Sequence, residues 1–599
     1  MVAIAACLQF EFFHFDIHNA FQSTPDPGDI NGNKTWLRIN DTWIDYIRER
    51  KPEWWPEIDA LLKDHPVSAL AVPMNSFVQG RVDASYKWQE HVEPVIFNDL
   101  AFLPNRADPS VYCGLYNGAP VVLCRATDDF LCLCAEEATY HAIVRVFEKH
   151  WKVHSLGPVS TFFGLHFVLS RDCVTIDQTD KTENLVTAVF GPSWQKQPPS
   201  NSCSTPMRTG TAYSESLARA IPLDDKDLKL TEQEFGFKYR TILQGCMHIA
   251  LWTRLDILPT CVALAQYQMH TAPIHFAAMK HLVGYMRLHP DLPLVYDRTR
   301  FNMTVNSLDI EIDPAQPFSP GFYGPEAYHV SSVDLLPLTH ALYVGSVSVD
   351  PDSPIVCTPP NLPAKVRDHD TTPSPLSDVA FVPGTDTTTS FGPSSSAPYT
   401  ESYVDANLPG GIYKKTPFVG FAISMSGTCV FTHCRKADTP AENTTKAKMD
   451  AANQLGRALC WMYLLMEDIG LPFDGSIPVA EDNSATPIIA HTGKITRNVQ
   501  HIALKTLSLQ ALVCKCIALF RAVGFAHNKA DHFTKALALP AFRKHCPYLM
   551  GLQFLTVHHA AITFQLRRGQ SNLPPAVAHL SEERGDVKLT TLTSMTNQT

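Results

Sequence analysis

Three aspartates in the first quarter of the chain have the types and spacing that metal binding requires. Asp128 and Asp129 lie side by side inside the apolar stretch VVLCRATDDFLCLC at residues 121–134. Apolar runs of this length predict two buried strands, which would place the acidic pair at the turn of a hairpin. Asp16 lies in a second, aromatic-rich strand, FFHFDIHNAF, at residues 12–21.

The position of the strand that carries Asp16 decides what these carboxylates can do. If it lies beside the tip of the hairpin, three carboxylates converge. Their hard oxygen ligands suit Mg²⁺, and a pair of Mg²⁺ ions is the usual means of in-line attack at a phosphate. An isolated Asp-Asp pair is more often a solvated turn, so the alternative is that both side chains face water.

The order of these residues resembles the reverse-transcriptase palm of the polyproteins of copia-type LTR retrotransposons. Phe21 follows Asp16 by five residues, as in that family, and the family's YVDD box corresponds to ATDD at residues 126–129. The family's LYGLKQAPRQW segment resembles VQGRVDASYKW at residues 78–88, which keeps Gly80 in register. The resemblance therefore predicts a palm domain built on an antiparallel sheet.

The resemblance also implies roles for these residues in RNA-directed DNA synthesis. Asp16, Asp128 and Asp129 would bind two Mg²⁺ ions that serve the primer 3′-hydroxyl and the nucleoside triphosphate. Phe21 would exclude a ribose 2′-hydroxyl, and Gly80 would let the backbone approach the RNA template and DNA primer. The alternative for Phe21 is an ordinary core phenylalanine.

The C-terminal part of the chain resembles the RNase H domain of the same family. The family's YVDSD, EDN and QLAD motifs correspond to the segments that carry Asp405, Asp482 and Asp531, and Asp405 is expected at a strand start. In place of the family's STEAEY, the chain reads TTKAKM, which puts Lys448 where a metal-binding glutamate belongs. An ammonium group there repels Mg²⁺ and should pair with Asp405 or Asp482. We therefore expect RNase H activity to be lost.

The sequence predicts an α+β chain with a ferredoxin-like palm, a helical connection and an RNase H-like α/β domain. Its expected parts are a palm without its fingers region at 1–135, a thumb-like helix and hairpin at 136–210, a connection region at 211–344, a disordered linker at 345–400, an RNase H-like domain at 401–560 and a disordered tail at 561–599. The linker is predicted from its Pro, Ser and Thr content.

Composition limits the class of protein and its setting. The net charge of −10 is unlike that of a simple nucleic-acid-coating protein, although a polymerase can carry a local basic groove. The 16 cysteines show no paired CxxC spacing, so buried thiols in an intracellular protein, cytoplasmic or nuclear, are expected. The apolar start, MVAIAACLQF, lacks a basic segment and is interpreted as a strand, not as a signal peptide, and no run is long enough to span a membrane.

Two functions remain open at this stage. The first is an RNA-directed DNA polymerase region of a copia-type retrotransposon with a degenerate RNase H domain, acting on an RNA template, a DNA primer and deoxynucleoside triphosphates. The alternative is a catalytically inactive remnant that keeps nucleic-acid binding, or only the fold. The intact aspartate triad favours the first, and Lys448 together with the expected lack of a fingers region favours the second.

Overall fold

The chain divides into two compact units. A computed structural model describes residues 1–26, 28, 34–196, 203–298, 398–407, 416–437, 440–441, 443–473, 475–493 and 502–552. The smaller unit comprises residues 11–159, and the larger unit comprises residues 1–10 together with the chain from residue 160. None of the described helices is long and apolar enough to cross a membrane.

The smaller unit contains most of the elements that precede residue 160. In chain order these elements, together with helix α1 of the larger unit, are α1 (Val2–Cys7), β1 (Glu11–Ile17), α2 (Ala20–Ser23), β2 (Trp36–Arg38), α3 (Asp41–Arg50), α4 (Trp55–Asp64), β3 (Ala71–Pro73), α5 (Ala84–Asn98), β4 (Leu103–Pro104), β5 (Val111–Tyr116), β6 (Ala119–Ala126), β7 (Asp129–Cys134), α6 (Glu137–Glu148) and β8 (Val153–Pro158).

A six-stranded antiparallel sheet forms the centre of the smaller unit, in the order β4-β5-β6-β7-β1-β8. Helix α6 packs against β1, β7 and β8. Phe15 of β1 stacks on Phe130 of β7 with ring centroids 4.9 Å apart, and Phe147 of α6 lies against both rings. This aromatic core fixes β1 beside β7, which positions the acidic residues at their ends.

The larger unit contains the remaining elements. They are β9 (Thr161–Phe162), β10 (Leu165–Leu169), β11 (Cys173–Asp177), α7 (Thr179–Phe190), α8 (Thr211–Arg219), α9 (Asp225–Phe235), α10 (Tyr239–Trp252), α11 (Leu258–Ala265), α12 (Pro273–Leu288), β12 (Leu294–Asp297), β13 (Thr400–Asn407), β14 (Phe418–Met425), β15 (Thr428–Lys436), α13 (Thr444–Ile469), β16 (Ile477–Glu481), α14 (Ala485–Thr492), α15 (Ala503–Cys514), β17 (Ala518–Ala522) and α16 (Leu539–Leu549).

A four-stranded antiparallel sheet in the larger unit has the order β12-β11-β10-β9. Helix α1 packs against β12 and β11, and its residues from Ala3 to Cys7 are buried. The expectation of a strand at the start of the chain is therefore wrong. Alanine is the best helix former, and the three alanines of this short segment favour a buried helix.

A five-stranded sheet in the larger unit has the order β15-β14-β13-β16-β17. Its first three strands are antiparallel, whereas β13, β16 and β17 run parallel to one another. Helix α13 packs against β13 and β14 and ends at Gly470, which has a φ of +83° and supplies the left-handed C-terminal cap. The sequence predicts an amphipathic helix from about Thr444 to Ile469, and these bounds are confirmed.

The structure divides the chain differently from the sequence-based boundaries. The helix and hairpin expected at 136–210 are separated, because α6 belongs to the smaller unit and the β10–β11 hairpin to the larger one. Of the linker expected at 345–400, residues 345–397 lie outside the described residues, and Thr400 already begins β13. The tail expected at 561–599 also lies outside them.

Candidate metal-binding carboxylate sites

The smaller unit places Asp16 directly opposite Asp129. These two residues are register partners in the antiparallel pair of β1 and β7, and opposite residues in such a pair project from the same face of the sheet. The backbone N–H of Ile17 donates to the carbonyl oxygen of Asp128 at 3.0 Å. The strand that carries Asp16 therefore lies beside the tip of the hairpin, with Asp16 opposite Asp129.

Two charges of the same sign meet at this point, and the electrostatics reflect it. Burial and the nearby charges of Asp129 and Asp128 raise the pKa of Asp16 above its usual value. Nε2 of His14 lies 3.0 Å from Oδ1 of Asp129, within hydrogen-bond distance. His14 was not identified from the sequence, although its position two residues before Asp16 places both on one face of β1.

The turn that carries Asp128 is held by a buried tryptophan. The indole Nε1–H of Trp88 donates to the carbonyl oxygen of Thr127 at 2.6 Å, and Trp88 is fully buried. Thr127 has a φ of +63°, a conformation that a β-branched residue rarely adopts. Trp88 therefore supports a strained turn immediately before the acidic pair.

The other two residues expected to contact the nucleotide have simple surroundings. Phe21 lies in α2 and packs, partly buried, against the aromatic core of the smaller unit. Gly80 has a φ of +97°, and a Cβ atom placed there would meet no atom within 4 Å. Backbone conformation explains this glycine, and the open space beside it is compatible with close approach by another molecule.

The larger unit brings Asp405, Asp482 and Asp531 together. Asp405 lies near the end of β13, so the expectation of a strand start at this residue is wrong, because the strand already begins at Thr400. Asp482 directly follows Glu481, the last residue of β16. Strands β13 and β16 are parallel neighbours, so their carboxyl ends meet at one edge of the sheet. Asp531 lies in the short 3₁₀ helix Lys529–Phe533.

This group is the one set of three or more candidate metal ligands that the described ranges contain. Single ligand atoms of Asp405, Asp482 and Asp531 lie within 4.8 Å of one another. Among the residues that the structure describes, Asp16, Asp128 and Asp129 do not form such a group. Their carboxylates have the chemistry that Mg²⁺ prefers, but an oxygen of Asp129 is engaged with His14.

Lys448 occupies the centre of the larger unit's cluster. Its Nζ donates to Oδ1 of Asp405 at 2.8 Å, to Oε1 of Glu481 at 3.0 Å and to Oδ1 of Asp482. The ion pair expected between Lys448 and Asp405 or Asp482 is thus present with both. Burial opposes the charge of Lys448, but Glu481, Asp405 and Asp482 raise its pKa above the usual value, so it stays an ammonium ion.

Glu481 is a member of this cluster that sequence reasoning missed. Its side chain is fully buried, and its Oε2 has no hydrogen-bond partner within the protein. The available signal was its position directly before Asp482 at the end of an apolar strand. Burial raises the pKa of Glu481 well above its usual value, although the charge of Lys448 opposes this shift.

The remaining contacts hold Asp405 and Asp531. Burial disfavours ionisation of Asp405, but Lys448 and the hydroxyl of Thr534, which donates to Oδ2, keep its pKa below the usual value. Burial and the charge of Asp405 raise the pKa of Asp531 to about 7, although Lys535 lies 2.9 Å from its Oδ2. A divalent metal does not fit this arrangement, because an ammonium group already contacts three of the four acids.

Comparison with known proteins gives one partial similarity. No protein-family model matches the chain. It is 22% identical over 157 residues to the retrovirus-related Pol polyprotein from transposon TNT 1-94 of Nicotiana tabacum. The aligned part is 26% of this chain and 12% of that polyprotein, so the chain corresponds to a small fraction of its relative. The similarity relates the chain to retrotransposon proteins.

Proposed function

Given this retroelement origin, we propose that the chain is the polymerase region of a copia-type retrotransposon, with an RNA-directed DNA polymerase site in the smaller unit. Asp16, Asp128 and Asp129 would hold two Mg²⁺ ions. The observation that carries this proposal is the register of β1 against β7, which sets Asp16 opposite Asp129 beside the turn that bears Asp128. Burial and the like charges of Asp129 and Asp128 raise the pKa of Asp16, and a bound cation would balance these charges.

The residues of the smaller unit have defined roles in this proposal. Mg²⁺ bound by the aspartates would polarise phosphate oxygens and lower the pKa of the primer hydroxyl. Trp88 would fix the turn, so that the acidic pair keeps one position during the reaction. Phe21 would contact the ribose, and the open side of Gly80 would face the RNA template and DNA primer.

Primer extension tests this proposal directly. The full chain is mixed with an RNA template, a labelled DNA primer, deoxynucleoside triphosphates and Mg²⁺. Extension by the wild-type chain should fall by at least about 100-fold in Asp128→Asn, because the substitution removes a metal-binding charge. Asp45→Asn is the matched control, since the side chain of Asp45 is 66% exposed on α3. Equal extension by Asp128→Asn and the wild type would contradict the assignment.

A second candidate is a non-catalytic protein that keeps nucleic-acid binding. It is favoured by the engagement of Asp129 with His14 and by the ammonium group in the larger unit's cluster. This candidate predicts that the chain binds an RNA/DNA hybrid equally well in Mg²⁺ and in EDTA while extending no primer. Fluorescence anisotropy with a labelled hybrid measures that binding. Both candidates include the loss of RNase H activity, for which Lys448 is the reason.

A further inference from the structure

We propose that the ammonium group of Lys448 is a permanent substitute for a divalent cation, and that its removal creates a divalent-cation site in the larger unit. The ligands of that site are Asp405, Glu481, Asp482 and Asp531. The proposal concerns the larger unit alone and does not depend on polymerase activity in the smaller one.

The first argument is the position of the ammonium nitrogen. Nζ of Lys448 is shared among three acids that come from two neighbouring strands, at 2.8 Å from Asp405 and 3.0 Å from Glu481 and in contact with Asp482. A single cation that bridges several carboxylates does what a bound metal ion does in such a cluster. The lysine reaches this point from α13, which packs against β13.

The second argument is that the cluster keeps unused acceptors. Oε2 of Glu481 and Oδ1 of Asp531 are buried and have no hydrogen-bond partner in the protein. Glu481 and Asp531 are 0% and 3% exposed as whole residues, so bulk water does not satisfy these atoms. They are available as ligands for a cation that carries more charge than one ammonium group.

The third argument is charge balance. Three acids contact Lys448, and the fourth, Asp531, lies near Asp405 and Asp482 and pairs with a second cation, Lys535. Removal of Lys448 would leave buried carboxylates with little compensating charge, which is a costly arrangement in a protein interior. The space vacated by the side chain would then be lined by hard oxygen atoms, the donors that Mg²⁺ and Mn²⁺ prefer.

The wild-type chain behaves differently under this proposal. Its cluster needs no metal, because the ammonium group supplies the positive charge and repels a second cation. A divalent ion would have to displace Lys448 from its carboxylate partners. The larger unit should therefore fold and remain stable in EDTA.

The test is a titration of the full-length chain with Mn²⁺, followed by the electron paramagnetic resonance signal of the free ion. Lys448→Ala should bind one Mn²⁺ more than the wild type, and Lys448→Ala/Asp482→Asn should lose that additional ion. Lys505→Ala is the matched control, because Lys505 pairs with Asp450 on α13 outside the cluster. Ions bound by the smaller unit are common to all variants, so the difference reports the cluster alone.

Thermal unfolding is the second measurement. In EDTA, Lys448→Ala should unfold at least about 5 °C below the wild type, and Mn²⁺ should restore most of that difference. Equal Mn²⁺ binding by Lys448→Ala and the wild type would overturn the proposal. So would a Lys448→Ala chain that folds neither with nor without Mn²⁺, since the metal would then be unable to replace the ammonium group.

A third variant does not require removal of the lysine. Asp482→Asn in the wild-type background should leave the number of bound Mn²⁺ ions unchanged, because the wild-type cluster holds none. A loss of one ion in this variant would show that metal binds beside Lys448, which contradicts the proposal.

Discussion

Asp531 connects the charge of the larger unit's cluster to pH. Its pKa is raised by burial and by Asp405 to about 7, whereas an unfolded aspartate has a pKa of about 4. Between these two values the folded chain binds more protons than the unfolded chain. The contribution of Asp531 to stability is therefore present at low pH and is lost as the pH rises through about 7.

We predict that Asp531→Asn removes this loss. The free energy of unfolding of the variant, relative to the wild type, should increase by about 1–3 kcal/mol between pH 5 and pH 7.5. Urea unfolding at the two pH values measures the difference. Burial also lowers the pKa of Lys529, to about 7, so Lys529 changes the stability of the chain mainly above pH 7. This contribution is the same in the variant and the wild type and cancels in the difference. A constant difference between variant and wild type across the range would contradict the prediction.

Single residues show where sequence reasoning succeeds and where it stops. The pairing of Lys448 with aspartates was predictable, because a cation stands where the resembled family has an acid. The contact of His14 with Asp129 was not predictable, because it depends on the register of β1 against β7. A shift of the register by one residue would turn His14 to the other face of the sheet. Sequence gives the type of a side chain, but its partner depends on the pairing of distant strands.

The β6–β7 hairpin is the element that presents the acidic pair, and its turn stores strain. Thr127 has a φ of +63° at the first position of a two-residue turn, where glycine is preferred. We predict that Thr127→Gly raises the free energy of unfolding of the smaller unit by about 1 kcal/mol. Chemical denaturation of the full chain, followed by amide hydrogen exchange of residues 11–159, measures this change in the free energy of unfolding.

A helical threonine is the control for this substitution. Thr139→Gly in α6 replaces a residue with ordinary helical geometry, so the same chemical change should lower stability by roughly 0.5–1 kcal/mol. If both substitutions destabilise the chain equally, the turn at Thr127 holds no strain that glycine can relieve.

Elements with strong local signals were predictable from the sequence. The Ser426-Gly427 pair between two apolar runs predicts a tight hairpin turn. In the structure both residues have positive φ in a two-residue loop between β14 and β15. Helix α13 has a capping asparagine at its start and a glycine at its end. Helix α1 had neither signal, and a six-residue apolar segment is too short for periodicity to distinguish a helix from a strand.

At the scale of the whole molecule, the chain enters the larger unit twice. Residues 1–10 belong to it, residues 11–159 form the smaller unit, and the chain returns to the larger unit at residue 160. No segment rich in Pro, Gly or Ser marks the boundary between the two units at residue 10, so the sequence-based division placed the first ten residues in the palm. The division depends on packing between distant segments, as in the hydrogen bond from Arg298 to the carbonyl oxygen of Phe10 at 2.9 Å.

We predict that α1 stabilises the four-stranded sheet of the larger unit. Ala6 is fully buried, so Ala6→Asp places an unpaired carboxylate against β11 and β12. Amide hydrogen exchange of residues 173–177 and 294–297, measured by mass spectrometry, should speed up by at least about 10-fold. Gln9→Glu at an exposed position is the control and should leave exchange unchanged. Unaltered exchange in Ala6→Asp would show that the sheet does not need the helix.

The position of α1 has a consequence for the order in which the protein is made on the ribosome. Residues 2–7 leave the exit tunnel long before β12 at residues 294–297, one of the strands that covers them, has been translated. At the usual ~5–20 residues per second, this apolar segment waits roughly 15–60 s for its partner. The smaller unit, residues 11–159, has all of its residues well before that time, so it can fold while residues 2–7 still lack this partner strand.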